Sequence, residues 1–221
     1  MSAVTQERTG GVPKPKALDL FAEMGQVSVL TLLAAAGVVT WVAGVAAGVA
    51  HMRRHLGGYG DSTRDYGALF VAALRGSWWL GAASVALFGV LWVNAALLAG
   101  DAVPGGGGLL VLTAVLASLA WAVVVRAAAA WSEPDASPTT DPGSAGAVPA
   151  ADAAGWWRLL LRGAGASASD PVGTVLLLTA LYLGLLLVWM FTPMAILVPG
   201  LWVLAAVGID HRRAARAARR P

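Results

Sequence analysis

At 221 residues, 58% hydrophobic and only 12% charged, with a mean hydropathy of +0.71, the chain is far more apolar than a soluble domain and long enough for one helical bundle. It has no cysteine, which excludes disulfide staples, thiolate catalysis and Cys-ligated metal. The net charge of +3 is no sign of nucleic-acid binding, because the basic residues sit at the ends of apolar runs, where topology and lipid headgroups account for them.

Residues 1–23 read as a polar, Gly- and Pro-containing tail that leads through a short surface helix, Ala17 to Glu23, into the first apolar run. That run, Met24 to Ala50, has no charged residue and is apolar all round, so the sequence predicts a first membrane span. Thr40, Gly44 and Gly48 fall four apart on it and form a stripe of small side chains, with a GxxxG pair suited to close helix packing. The basic exit His51-Met52-Arg53-Arg54-His55 stops the run.

Tyr66, Leu69, Phe70, Ala73 and Leu74 follow at helical spacing, which predicts an interfacial amphipathic helix over 64–75. Arg75 closes it, and Trp78-Trp79 open the second charge-free run, which ends at Gly100. Asp101 to Gly108 reads as a turn, and Leu109 to Val125 as a third span that ends through Arg126 at Trp131. Residues 132–154, rich in Pro, Ser and Asp, lack the apolar content to fold and read as a flexible loop. A second interfacial helix is expected over 155–163, with Arg158 and Arg162 on one face and Trp156 and Trp157 among its apolar residues. Val172 to Phe191 reads as a fourth span, Thr192-Pro193 as a turn, Met194 to Ile209 as a short fifth span, and 210–221 as a basic tail.

The expected fold is therefore all-α, a polytopic membrane bundle of about five transmembrane and two interfacial helices. It divides into the tail 1–23, a unit 24–131, the loop 132–154, a unit 155–209 and the tail 210–221. Five spans place 12 of the 15 basic residues on one side, which makes the C-terminus cytoplasmic and leaves the N-terminus outside.

Ala34 to Trp79 resembles the YesL-like family of small bacterial integral membrane proteins. Thr40 stands at that family's late first-helix Thr, Arg53-Arg54 at its basic exit, Phe70 at its aromatic anchor, and Arg75 with Trp78 at its next-span start. The chain departs from the pattern at Gly37-Val38-Val39, where the family often has Pro, and at Ser77, where it often has Asn. The resemblance implies a bacterial inner-membrane protein. Some family members are encoded beside carbohydrate ABC-transporter genes, so it also implies a transporter as partner.

Candidate chemistry is sparse. His51 and His55 have metallopeptidase spacing, but Met52 stands where the general-base Glu is needed. Gly105 to Gly108 lacks the Lys-Ser/Thr of a phosphate loop. Asp65 and Asp170 read as helix caps and Asn94 as an interhelical hydrogen-bonding group. No Asp, Glu, Lys or His lies inside a predicted span, which weighs against proton-coupled transport and intramembrane hydrolysis. Arg126 alone is basic within a span: either its long side chain snorkels to the inner headgroups, or it pairs with Asp210, expected at similar depth. The sequence thus predicts no catalytic, cofactor or metal site. Its expected partners are the lipid bilayer and, through small-residue faces, a transporter complex or a second copy. The competing expectation is a small permease or lipid-interacting protein with a cavity lined by Trp41, Trp92, Trp121, Trp189 and Trp202.

Overall fold

A computed structural model describes residues 17–57, 62–99, 105–132 and 152–219. Most of the amino-terminal tail, most of the Pro/Ser/Asp-rich loop and much of the turn after Gly100 lie outside the described residues. Among those residues every regular element is helical: α1 (Ala17–Ala35), α2 (Trp41–Leu56), α3 (Thr63–Leu98), α4 (Gly106–Ala130), α5 (Ala153–Ser169), α6 (Pro171–Met190) and α7 (Val198–Ala217), with a 3-10 turn at Thr192–Ile196. Three of them, α3, α4 and α6, are long and apolar enough to cross a membrane.

The run expected to be one first span is broken. Residues 36–40 form a turn in which Val38 takes a φ of 58°, a left-handed conformation that a β-branched residue rarely adopts. The turn is tied by Thr40 Oγ1, which donates to the Ala34 carbonyl. Beyond it the chain reverses. A Cβ on Gly44 would meet Ala34 and Thr31, and one on Gly48 would meet Thr31 and Val27, a nested pairing that marks a helical hairpin. The small-residue stripe at Thr40, Gly44 and Gly48 is therefore occupied within the chain, by α1 and by Val203 of α7.

α2 is the centre of the molecule. Its residues Val42 through Met52 are all buried, and it packs against α1, α3, α4 and α7. Tyr66 pins the arrangement: its hydroxyl donates to the Gly44 carbonyl at 3.2 Å and lies 3.2 Å from Thr31 Oγ1. Ser28 of α1 accepts from the Gly200 amide at 2.8 Å, satisfying a donor in the first turn of α7.

A second correction concerns α3. The segment expected as a separate interfacial helix runs without interruption into the second apolar run, as one helix of 36 residues. Ser62 and Asp65 start it with a reciprocal capping box. Its buried stripe, from Tyr66 through Leu69, Ala73, Ser77 and Leu80 to Ser84, is one continuous helical face. At Gly81 the α1–α2 turn comes so close that an added Cβ would lie 1.7 Å from the Val39 carbonyl oxygen. Nearby, Trp41 Nε1 donates to Ser84 at 2.9 Å.

α4 returns antiparallel, linked by Asn94 Nδ2, which donates to Thr113 Oγ1 at 2.7 Å.

α5 is separate, as expected, and its face Trp156, Leu159 and Gly163 is buried. Gly163 lets it approach α4, since a Cβ there would lie 2.6 Å from the Val123 carbonyl oxygen. Asp170 caps α6 by accepting from Gly173 N at 3.1 Å. The expected turn at Thr192-Pro193 is the 3-10 turn. The expected tail from Asp210 is instead largely helical, because α7 continues to Ala217.

Candidate functional site at the basic end of the bundle

The C-terminal ends of α2, α4 and α7 and the N-terminal end of α6 meet in one polar cluster. Arg53 extends from α2, donates to the Ala129 carbonyl at 2.7 Å and to Ser132 Oγ at 2.6 Å, and pairs with Asp210 at 2.5 Å. Asp170 holds two cations. Arg212 forks onto its carboxylate at 2.8 and 2.9 Å, and Arg126 approaches it at 3.7 Å. Arg126 also donates to Thr174 Oγ1 at 3.3 Å and to the Asp170 carbonyl at 3.4 Å.

The partners of the expected Arg126–Asp210 pair are thus exchanged: Arg126 pairs with Asp170, and Asp210 with Arg53. The reason lies in α7. Asp210 and Arg212 are two residues apart, about 200° around the helix, so one turn faces α2 with its carboxylate and the start of α6 with its guanidinium. Arg53 and Arg212, read as a membrane-exit residue and part of a tail, belong to the cluster. Their sequence signal was weak: each is one of several arginines in its segment.

Gly173 is required at this point, because a Cβ there would lie 2.1 Å from Asp170 Oδ2 and 2.7 Å from Arg126 Nη2. Burial pushes the Asp170 carboxyl up. The Gly173 amide, the Arg212 fork and the Arg126 charge outweigh it and hold the group below its ordinary value.

The expected interfacial residues separate into two sets. Arg75, Trp78, Trp157, Arg158 and Arg162 are exposed, and Phe70 and Trp79 are half-buried. Trp79 and Trp157 approach with ring centroids 6.4 Å apart. Trp156 is the exception: it is 0% exposed and stacks on Trp131 at 6.3 Å, so it is a core residue and not an interfacial anchor. Trp41 packs against Phe88, and Trp121 meets Trp202 edge to face at 5.1 Å. His51 is buried with its ring edge-on to Tyr66. Among the described residues no three His, Cys, Asp or Glu residues come together as a metal site.

A cavity of about 260 Å³ opens beside the cluster, lined by Arg126, Arg162, Arg213, Asp210 and Ser169 and by the small residues Ala130, Gly163 and Ala166. An apolar groove of about 460 Å³ runs along α6 past Leu178, Tyr182 and Leu186. No tryptophan lines either. Compared with known proteins, the chain matches no family model, no curated protein and no solved structure.

Proposed function

We propose that the chain is a multi-pass protein of the bacterial inner membrane that acts without catalysis, by contacting and regulating a membrane transporter. In this reading α3, α4, α6 and the returning α7 cross the bilayer, and the basic end lies in the cytoplasm. The observation that carries it is the far half of the α3–α4 hairpin. α3 has no buried residue after Ser84, and Val90, Trp92, Leu97 and Val111 are between 64 and 76% exposed. Lipid covers apolar side chains of this kind equally well, but Asn94 stands among them. Its Nδ2 reaches Thr113, while its carbonyl oxygen accepts no hydrogen bond among the described residues. An amide so placed favours contact with another helix. The YesL-like resemblance supplies the partner class, a carbohydrate ABC transporter.

A photo-crosslinking residue at Val93, tested in native membranes, is expected to capture a transporter subunit, and Asn94→Leu to lose that product. Crosslinks to lipid alone would reject the reading. The permease alternative draws no support from the tryptophans, which pack on rings or face outward. The lipid-interacting alternative is favoured by the cationic cavity.

A further inference from the structure

We propose that the cavity at the basic end is a binding site for a phosphate-bearing anion, its most direct source being the headgroup of an anionic phospholipid. Four observations converge on it. Arg126, which lines the cavity, is only 7% exposed, yet its Nε has no hydrogen-bond partner. Its one carboxylate contact, at 3.7 Å, is to a group already forked by Arg212. A buried guanidinium with an unused donor is an incomplete arrangement, because each unmet donor there carries a desolvation cost.

The charge around the cavity is also unbalanced. Arg126, Arg162 and Arg213 line it, and no carboxylate among the described residues pairs with Arg213. The single lining carboxylate, Asp210, is held by Arg53 at 2.5 Å. Leaving Arg162 aside, the four arginines Arg53, Arg126, Arg212 and Arg213 face the two aspartates Asp170 and Asp210. An oxyanion completes that set, and guanidinium forks match phosphate oxygens in geometry as well as charge.

Shape and location agree. Gly163, Ala166 and Ala130 leave open a volume that longer side chains would fill, with Ser169 adding a hydroxyl. At about 30 Å³ per water in the liquid, a cavity of about 260 Å³ holds a tetrahedral oxyanion with waters around it. It is lined by Arg162 and Gly163 of α5, little more than a turn from Trp157, whose ring meets that of Trp79 with centroids 6.4 Å apart, and such aromatic pairs suit the headgroup depth. The site does not depend on whether a transporter is the partner.

The test uses the full chain in micelles doped with phosphatidylglycerol or phosphatidylcholine, or supplied with inorganic phosphate, read by native mass spectrometry and thermal melting. Phosphatidylglycerol is expected to remain bound and raise the melting temperature, with phosphatidylcholine much weaker. Arg126→Gln or Arg213→Gln should weaken the binding about tenfold, the effect of one charged hydrogen-bonding partner, while the exposed Arg75→Gln leaves it unchanged. If Arg126→Gln does not fold, Arg213→Gln decides. Protection by inorganic phosphate that is lost in the same variants, without retained phosphatidylglycerol, would keep the phosphate site and overturn the lipid source. No protection by either anion, or equal loss in Arg75→Gln, would overturn the site.

Discussion

A guanidinium that is nine-tenths buried needs a counter-charge, and Arg126 finds it in Asp170, the residue that caps α6. Removing one member of such a pair strands the other, so Arg126→Ala and Asp170→Ala should each cost roughly 3 kcal/mol. The double variant should be no worse than the worse single, whereas Arg126→Ala and Asp210→Ala should add, since each breaks a different pair. Denaturation of these three single and two double variants in detergent separates these outcomes. Asp170 also sets a pH dependence. Its carboxyl is depressed in the folded state, so between the folded and unfolded values the unfolded chain binds more protons and stability rises with pH. The contribution is complete above the ordinary carboxylate value near ~3.9 and is lost as pH falls through the lower folded value. Melting temperature should therefore fall in acid, and Asp170→Asn should flatten that part of the curve. A sequence reading finds Arg126 as the anomalous charge in an apolar helix. It does not find its partner, because Asp170 serves as a cap as well as an anion, and only the packing shows both.

Elements are held at two close approaches, and a series of glycines on α3 tests one of them. Gly67, Gly81 and Gly89 share a helix and a residue type but differ in surroundings. Nothing lies within 4 Å of a Cβ built on Gly67 or Gly89, whereas one on Gly81 would overlap the Val39 carbonyl. Gly67→Ala and Gly89→Ala should thus be neutral or stabilise by up to about 1 kcal/mol, the helix-propensity gain. Gly81→Ala should displace the α1–α2 turn and lower the melting temperature by many degrees. Equal effects at all three positions would mean that the turn does not seat on Gly81. Hydropathy could not reveal this hairpin. Twenty-seven uncharged residues have the same pattern whether they run straight or fold back, and Gly37 is only one of four glycines among them. The fusion of α3 was hidden for the opposite reason: Arg75 looked like an end but lies on the exposed face of a helix whose buried stripe continues through Ser77. The periodic stripe itself, the separate α5, the Asn94 bond and the turn at Thr192-Pro193 were all legible.

At the scale of the whole molecule, the hairpin changes the argument about sidedness. The reading from charge alone made the first run a crossing, which sent Arg8, Lys14 and Lys16 to the side opposite the other twelve basic residues. The first run turns back at residues 36–40 and returns to Arg53 in the basic cluster, so both ends of this hairpin face the same side. Without that crossing the amino end need not lie outside. The four crossings proposed above, by α3, α4, α6 and α7, would place both ends and all 15 basic residues on the same side, the arrangement that the positive-inside preference favours. Because the chain has no cysteine, a single introduced one is a clean reporter. We expect Gly105→Cys and Thr192→Cys to react with a membrane-impermeant maleimide in intact spheroplasts. Ala22→Cys, Gly57→Cys and Ala218→Cys should react only after permeabilisation. The decisive position is Ala22, since five spans place it outside and four place it inside. Labelling of Ala22→Cys in intact cells would restore the first crossing and require the hairpin to open in the membrane.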